Sequence, residues 1–180
     1  MGRQDGEGMT AEDVTAFCAA MAARGIGIWL DGGWGVDALL GRQTRAHSDL
    51  DIVVEEKDLQ DVVGFLQGSG YRDLPRPDTR PWNFALGDQT GRIVDLHVVV
   101  LDDRGNGRYG PPEAGEGCYP AEALEGRGEV NGRAVRCTSA AFQVQSHSGY
   151  ALTDKDHRDV TALAEAFDLE LPAAFRDRPR

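Results

Sequence analysis

Between Trp29 and Val54 the chain reads WLDGGWGVDALLGRQTRAHSDLDIVV, and near its end two carboxylates alternate with apolar residues. Successive side chains of an extended strand point to opposite faces, so Asp49 and Asp51 project together while Leu50 and Ile52 enter the core behind them. Like charges held on one face repel, and a bound cation offsets that cost. Oxygen ligands at this spacing suit Mg²⁺, or Mn²⁺ in its place, bridging to phosphate groups. Upstream, Gly32 and Gly33 offer a turn where backbone N–H groups can approach a phosphate with no Cβ in the way. The pair is neither a Walker A loop nor a Rossmann fingerprint, because the lysine of the first and the glycine spacing of the second are missing. A phosphate cradle beside a metal-binding acid pair implies phosphoryl or nucleotidyl transfer.

A third acid, Asp95, lies in the apolar run IVDLHVVV, where an unpaired carboxylate would be costly to bury. Alternation puts Asp95 and His97 on one face and Val94, Leu96 and Val98 on the other. An ion pair between Asp95 and an arginine on a neighbouring strand is one reading of this acid. His97 is a candidate for catalysis or acceptor positioning, against the alternative of a histidine that only satisfies its own hydrogen bonds. Arg45 and His47, just ahead of the acid pair, carry donors suited to a triphosphate. Lys155 opens the last long helical pattern and is a further phosphate candidate, although a charge run there also reads as a solvated helix start. Trp82 and Tyr109 are candidates for an aromatic or sugar-like acceptor, or else for packing.

The coarse order is helix, strand, short helix, strand, helix, hairpin, long loop and terminal helices. Thr10 with Asp13 resembles a capping box, Val14, Phe17, Cys18 and Met21 follow helical spacing, and Gly25 ends the segment. Strands are expected at Ile26 to Leu30, Leu50 to Val54, Trp82 to Leu86 and Arg92 to Leu101, the last two joined across a glycine-flanked loop. Asp102 to Arg133 reads as a long loop with room for one short hairpin, the kind of segment that carries binding function. Helices are expected from Ser139 to Tyr150 and from Thr153 to Phe167. Residues 1–9 read as a disordered tail, 10–171 as one domain and 172–180 as a frayed end.

The blocks WLDGGWGVD, GRQTRAHSDLDI, VDLHV and HSGYALTDKDH, in this order across roughly residues 12 to 165, resemble the lincosamide nucleotidyltransferases and the related aminoglycoside 2''-adenylyltransferases. The resemblance implies a nucleotidyltransferase fold of the α+β class: a mixed, twisted sheet flanked by helices, with a C-terminal helical segment. It also implies ATP as co-substrate, Asp49 and Asp51 as metal ligands, and Asp95 as the third acid, acting as base or metal ligand. The acceptor would be a small molecule with a free hydroxyl, a lincosamide first and an aminoglycoside second. Two other readings stand beside it, a transferase that modifies a protein hydroxyl and a fold relative that binds a nucleotide or metabolite without transfer.

The formal net charge of −11 over 180 residues argues against tracking a nucleic-acid backbone and suits small or cationic partners. Cys18, Cys118 and Cys137 are widely spaced and lack a C-x-x-C pair, which reads as free thiols in a reducing compartment. With no apolar run of membrane-spanning length, the expectation is a cytoplasmic protein with no membrane partner, compatible with a homodimer.

Overall fold

The structure, a computed structural model, describes residues 8–115, 117–147 and 152–176. Helix α1 (Ala11–Ala22) begins as its residues dictate: Asp13 N–H donates to Thr10 Oγ1 at 3.1 Å while Thr10 N–H donates back to Asp13 at 3.0 Å. There follow β1 (Ile28–Leu30), α2 (Gly32–Leu40), β2 (Leu50–Glu55), α3 (Leu59–Gly68), β3 (Arg72–Leu74), β4 (Asn83–Gly87) and β5 (Ile93–Leu101). Short strands β6 (Gly107–Tyr109) and β7 (Cys118–Tyr119) precede the hairpin of β8 (Arg127–Val130) and β9 (Arg133–Arg136). The chain closes with α4 (Ala140–Ser146), α5 (Asp154–Phe167) and α6 (Ala173–Arg176).

The main sheet runs β1-β2-β5-β4-β3, with β6 paired to the end of β5 and β7 to β6. Among the strand pairs of this sheet in the described residues, β2 with β5 alone is parallel, so the sheet is mixed. One face carries Leu30, Leu50, Ile52, Val54, Val94, Leu96 and Val98, packed with Val14, Phe17 and Met21 of α1 and Val62 and Leu66 of α3 into the main core. The opposite face, bearing Trp29, Val53 and Val99, packs on Tyr119, Ala123 and Leu124 and leaves its carboxylates beyond that cluster. The alternation read from Leu50 to Ile52 therefore describes the real division between core and site. No helix among the described residues is long and apolar enough to cross a membrane. The three cysteines are free thiols.

The stretch from Asp102 to Arg133 holds more regular structure than a long loop. Its glycines hide the strands, because β6, β7 and β8 are two to four residues each and take their order from pairing, β6 with β5, β7 with β6 and β8 with β9. Strand β3 is a three-residue edge with every side chain exposed, so no apolar alternation announces it. Met9, read as part of a disordered tail, is buried and accepts a hydrogen bond from the Tyr71 hydroxyl at 3.8 Å. The end read as frayed from Pro172 is anchored by Phe175, which is buried with Val36, Val144, Val160 and Leu163. The far ends of these segments, residues 1–7 and 177–180, lie outside the described residues, as do the last residues of the helix expected to reach Tyr150.

Helix α2 is the hub: it touches β1, β2, β8, α4 and α5. It meets the β8–β9 hairpin backbone to backbone at Gly128, where an added methyl would lie 2.3 Å from the Ala38 carbonyl oxygen. Neither partner is a flexible side chain, so the contact cannot relax locally. Gly128→Ala is expected to cost about 1–3 kcal/mol of stability, the usual cost of overpacking, read as a lower urea midpoint. Gly64→Ala, on α3 with nothing within 4 Å of the new methyl, is the control and should match or exceed the parent. Equal midpoints for both variants would overturn the assigned role of the α2–β8 contact.

Candidate active site

The parallel register of β2 on β5 sets Asp51 opposite Asp95 and Val53 opposite His97. Directly opposed residues share a face, so the two aspartates and His97 stand on the side of the sheet away from the main core. Asp49 lies one residue ahead of β2, and alternation brings it to the same face. Strand β4 adds Asn83 opposite His97 and Ala85 opposite Asp95.

The first turn of α2 closes over this face. Gly32 has φ +52°, and a methyl on it would lie 2.3 Å from Asp51 Oδ2, so this glycine serves both the left-handed turn and the approach of the carboxylate. A methyl on Gly33 would meet His47 Nδ1 at 2.3 Å and Arg45 at 2.7 Å. The pair thus makes room for three side chains of the chain itself, while the N–H groups at the start of α2 keep the positive end of the helix beside Asp51.

Asp31, unassigned in the motif reading, is the most connected acid of the site. Its N–H donates to the Asp51 carbonyl at 2.9 Å. Its buried carboxylate makes no cap to α2 and instead accepts from the Tyr119 hydroxyl at 3.1 Å and Thr138 Oγ1 at 2.8 Å. His97 Nδ1 lies 3.0 Å from the Tyr119 oxygen and 3.5 Å from Asp31. Burial acts to raise the Asp31 pKa, but the hydrogen bond and charge of His97 and the bond from Thr138 bring it below the usual carboxylate value. For His97 burial works downward and is overcome by Asp31, then Asp51 and Asp95, which lift the imidazole to about 9. Asp51 is pushed up to about 7, first by burial and then by Asp49, Asp31 and Asp95, against the opposing pull of His97. Without a cation this face holds more carboxylate than it can comfortably ionise.

Asp95 is ion-paired to Arg76, which comes from the loop between β3 and β4 and not from a neighbouring strand. Among the described residues no group of three or more His, Cys, Asp or Glu side chains is arranged to hold a metal ion. Asp49 and Asp51 nevertheless fit Mg²⁺, which is commonly held by one or two carboxylates with water and substrate phosphate making up the octahedron. The raised pKa of Asp51 is the mark of a donor set that a cation would relieve. In this conformation Asp95 is held by a guanidinium and does not complete a three-acid cage.

Other expected residues lie elsewhere or are already engaged. His47 is buried, with Nε2 2.5 Å from Asp37 Oδ2 and its ring centroid 4.7 Å from that of Trp34. Asp37 also accepts from Thr44 N–H and Oγ1, so it anchors the whole turn after α2. In this conformation His47 is engaged by Asp37, which supplies the partner a buried imidazole needs. Arg45 donates to Asp159 of α5 at 2.8 Å, tying the turn to the last long helix. Lys155 is exposed one turn before Asp159. Trp82 lines a groove with Leu59, Val98 and Val100, behind the sheet from His97, so it cannot face an acceptor on the site side. Tyr109 is on the site face, its ring centroid 5.8 Å from those of both His97 and Tyr119. Of the residues missed, Asp31 carries a local signal, an acid placed directly before the glycine pair. Arg76, Tyr119 and Thr138 carry none.

The family model for aminoglycoside-2''-adenylyltransferase matches residues 13–163. The chain is 35% identical over 137 residues to a lincosamide resistance protein of Staphylococcus haemolyticus, covering 75% of this chain and 82% of that one. It is 32% identical over 135 residues to a 2''-aminoglycoside nucleotidyltransferase of Escherichia coli, covering 74% and 70%. Among solved structures it resembles the lincomycin-bound lincosamide adenylyltransferase LnuA, with TM-score 0.74 and 31% identity over 86% of this chain and 96% of that one. ANT(2'')-Ia in complex with adenylyl-2''-tobramycin, at 23% identity and TM-score 0.64 over 87% and 88%, shares the fold. The fold is thus the nucleotidyltransferase fold expected from the motifs, and this chain belongs to the aminoglycoside-2''-adenylyltransferase family of nucleotidyltransferase enzymes.

Proposed function

We propose that the protein transfers AMP from ATP to a hydroxyl of a lincosamide, or secondarily of an aminoglycoside, with release of pyrophosphate. The observation that carries this reading is the shared face of Asp49, Asp51 and Asp95 beside the N-terminus of α2. The similarity to a lincosamide resistance protein and to LnuA favours a lincosamide over other acceptors. The acidity of the chain is consistent with an amine-bearing acceptor.

Asp49 and Asp51 would hold Mg²⁺, which when bound neutralises phosphate oxygens and helps align the displacement. The N–H groups opening α2 would receive a phosphate in the same region. Asp95 is the candidate base for the acceptor hydroxyl. Its Oδ2 is taken by Arg76, so Oδ1 is the oxygen left to receive the proton. Arg76 would also stand close enough to the reacting groups to meet phosphate or acceptor when the ion pair opens.

Transfer is expected to require Mg²⁺ or Mn²⁺, and Asp49→Asn and Asp51→Asn are each expected to abolish it while keeping the parent's thermal midpoint. Full turnover in chelator, or in either variant, would remove the two acids from the metal role. For the acceptor, mass spectrometry of lincosamides, aminoglycosides and macrolides incubated with the protein and MgATP should find an AMP adduct on lincomycin or clindamycin. Nucleotide binding with no adduct on any of them would favour the reading of binding without transfer.

Asp95 separates from the pair by what it leaves intact. If it acts as the base, Asp95→Asn keeps MgATP affinity in a calorimetric titration and slows single-turnover transfer by about two to four powers of ten. Lost binding would move it into the metal set. An unchanged rate would reduce it to the structural partner of Arg76.

A further inference from the structure

Asp31 and Tyr119 do work that neither the motifs nor the fold demands of them. An aspartate at the N-cap ordinarily accepts from the N–H of the second or third residue of its own helix, yet the Asp31 side chain makes no such capping bond. Both its oxygens are committed across the site, Oδ1 to Thr138 at 2.8 Å and Oδ2 to the Tyr119 hydroxyl at 3.1 Å. These partners lie 107 and 88 residues away in the chain. The backbone N–H of Asp31 is bonded to the Asp51 carbonyl, so the carboxylate is fixed to the strand that carries the acid pair.

The hydrogen-bond count then dictates the state of His97. Tyr119 has one hydroxyl proton, and Asp31 receives it. The 3.0 Å contact between Tyr119 oxygen and His97 Nδ1 is a hydrogen bond only if Nδ1 carries the proton. The same Nδ1–H lies 3.5 Å from Asp31 Oδ2. Nδ1 is thereby used, so Nε2 is the ring nitrogen left for a further partner. His97 stands two residues beyond Asp95 on the same strand face, and its ring neighbours Tyr109. Tyr109 and Tyr119 both come from the segment after β5 where acceptor recognition is expected.

We propose that Asp31 and Tyr119 are positioning residues that hold His97 through Nδ1, with Thr138 clamping Asp31, so that Nε2 meets the acceptor beside Asp95. This rests on the transfer reading above for the nature of the acceptor, and on hydrogen-bond geometry alone for the orientation of the ring. It joins the segment that would read the acceptor to the strand that carries the chemistry.

Two measurements test it. In steady-state transfer, Asp31→Asn should lower kcat on the order of 10- to 100-fold, the usual effect of losing an orienting partner, with KM for MgATP within about twofold. Asparagine keeps the size but turns one acceptor oxygen into a donor. His97→Ala should show a comparable loss, and the double variant should be no slower than His97→Ala alone, because Asp31 acts through His97. Losses that multiply in the double variant, or an Asp31→Asn defect confined to KM for MgATP, would overturn the proposal. Tyr119→Phe, which keeps the ring packed against Tyr109 and Phe142, should give a smaller loss of the same kind.

The second readout needs no turnover. In nucleotide-free protein, ¹⁵N imidazole spectra should show His97 Nδ1 protonated, and Asp31→Asn and Tyr119→Phe should each shift that resonance. A bare Nδ1 in the parent, or unshifted spectra in both variants, would overturn the proposal even with transfer intact. If no antibiotic accepts AMP while these shifts occur, the acceptor assignment falls and the positioning role stands.

Discussion

The parallel pairing of β2 with β5 is the constraint on which the site depends. Two strands far apart in sequence must meet in one register for Asp51 to stand opposite Asp95 and for His97 to follow on the same face. A slip of one residue would turn every one of these polar groups into the core and expose Leu50, Ile52, Val94 and Leu96. Burial of those apolar side chains against α1 and α3 therefore does more than stabilise the sheet. It fixes which face carries the chemistry.

Once the register is set, the carboxylates create an electrostatic problem that the surrounding residues resolve unevenly. The Asp31 pKa is drawn down by His97 and Thr138 against its burial, Asp95 is held by Arg76, and Asp51 is left with a raised pKa between burial and its acidic neighbours. A structure that needed only stability would replace such a cluster with apolar residues. Its persistence here, beside the start of a helix opened by two glycines, is what makes a cation and a phosphate the natural complements of the site. Helix α2 meets the strands, the β8–β9 hairpin and the helices α4 and α5 together, so the position of its glycine turn is set by the whole fold.

How much of this was legible in the chain depends on the range of the interaction. The capping box at Thr10, the helix stripes and the alternation around Asp49, Asp51, Asp95 and His97 are local patterns, and the structure has them where the residues put them. Arg45 and His47 show the limit of the same logic. Their donors suit a phosphate, and in this structure Arg45 pairs with Asp159 and His47 with Asp37, partners that lie outside the local pattern. Trp82 likewise sits next to the right strand on the wrong side of it, because the strand's two faces differ by a single residue of register.

By itself the sequence determined the class of chemistry and marked the candidate residues that share a strand face, since acid pairs, glycine turns and strand alternation depend on neighbours within a few positions. Tertiary structure alone decided which of those residues meet. Arg76 reaches Asp95 from a loop 19 residues earlier, and Tyr119 and Thr138 reach Asp31 across 88 and 107 residues. Such partners leave no local pattern, because a hydrogen bond constrains distance and direction in space and says nothing about separation along the chain.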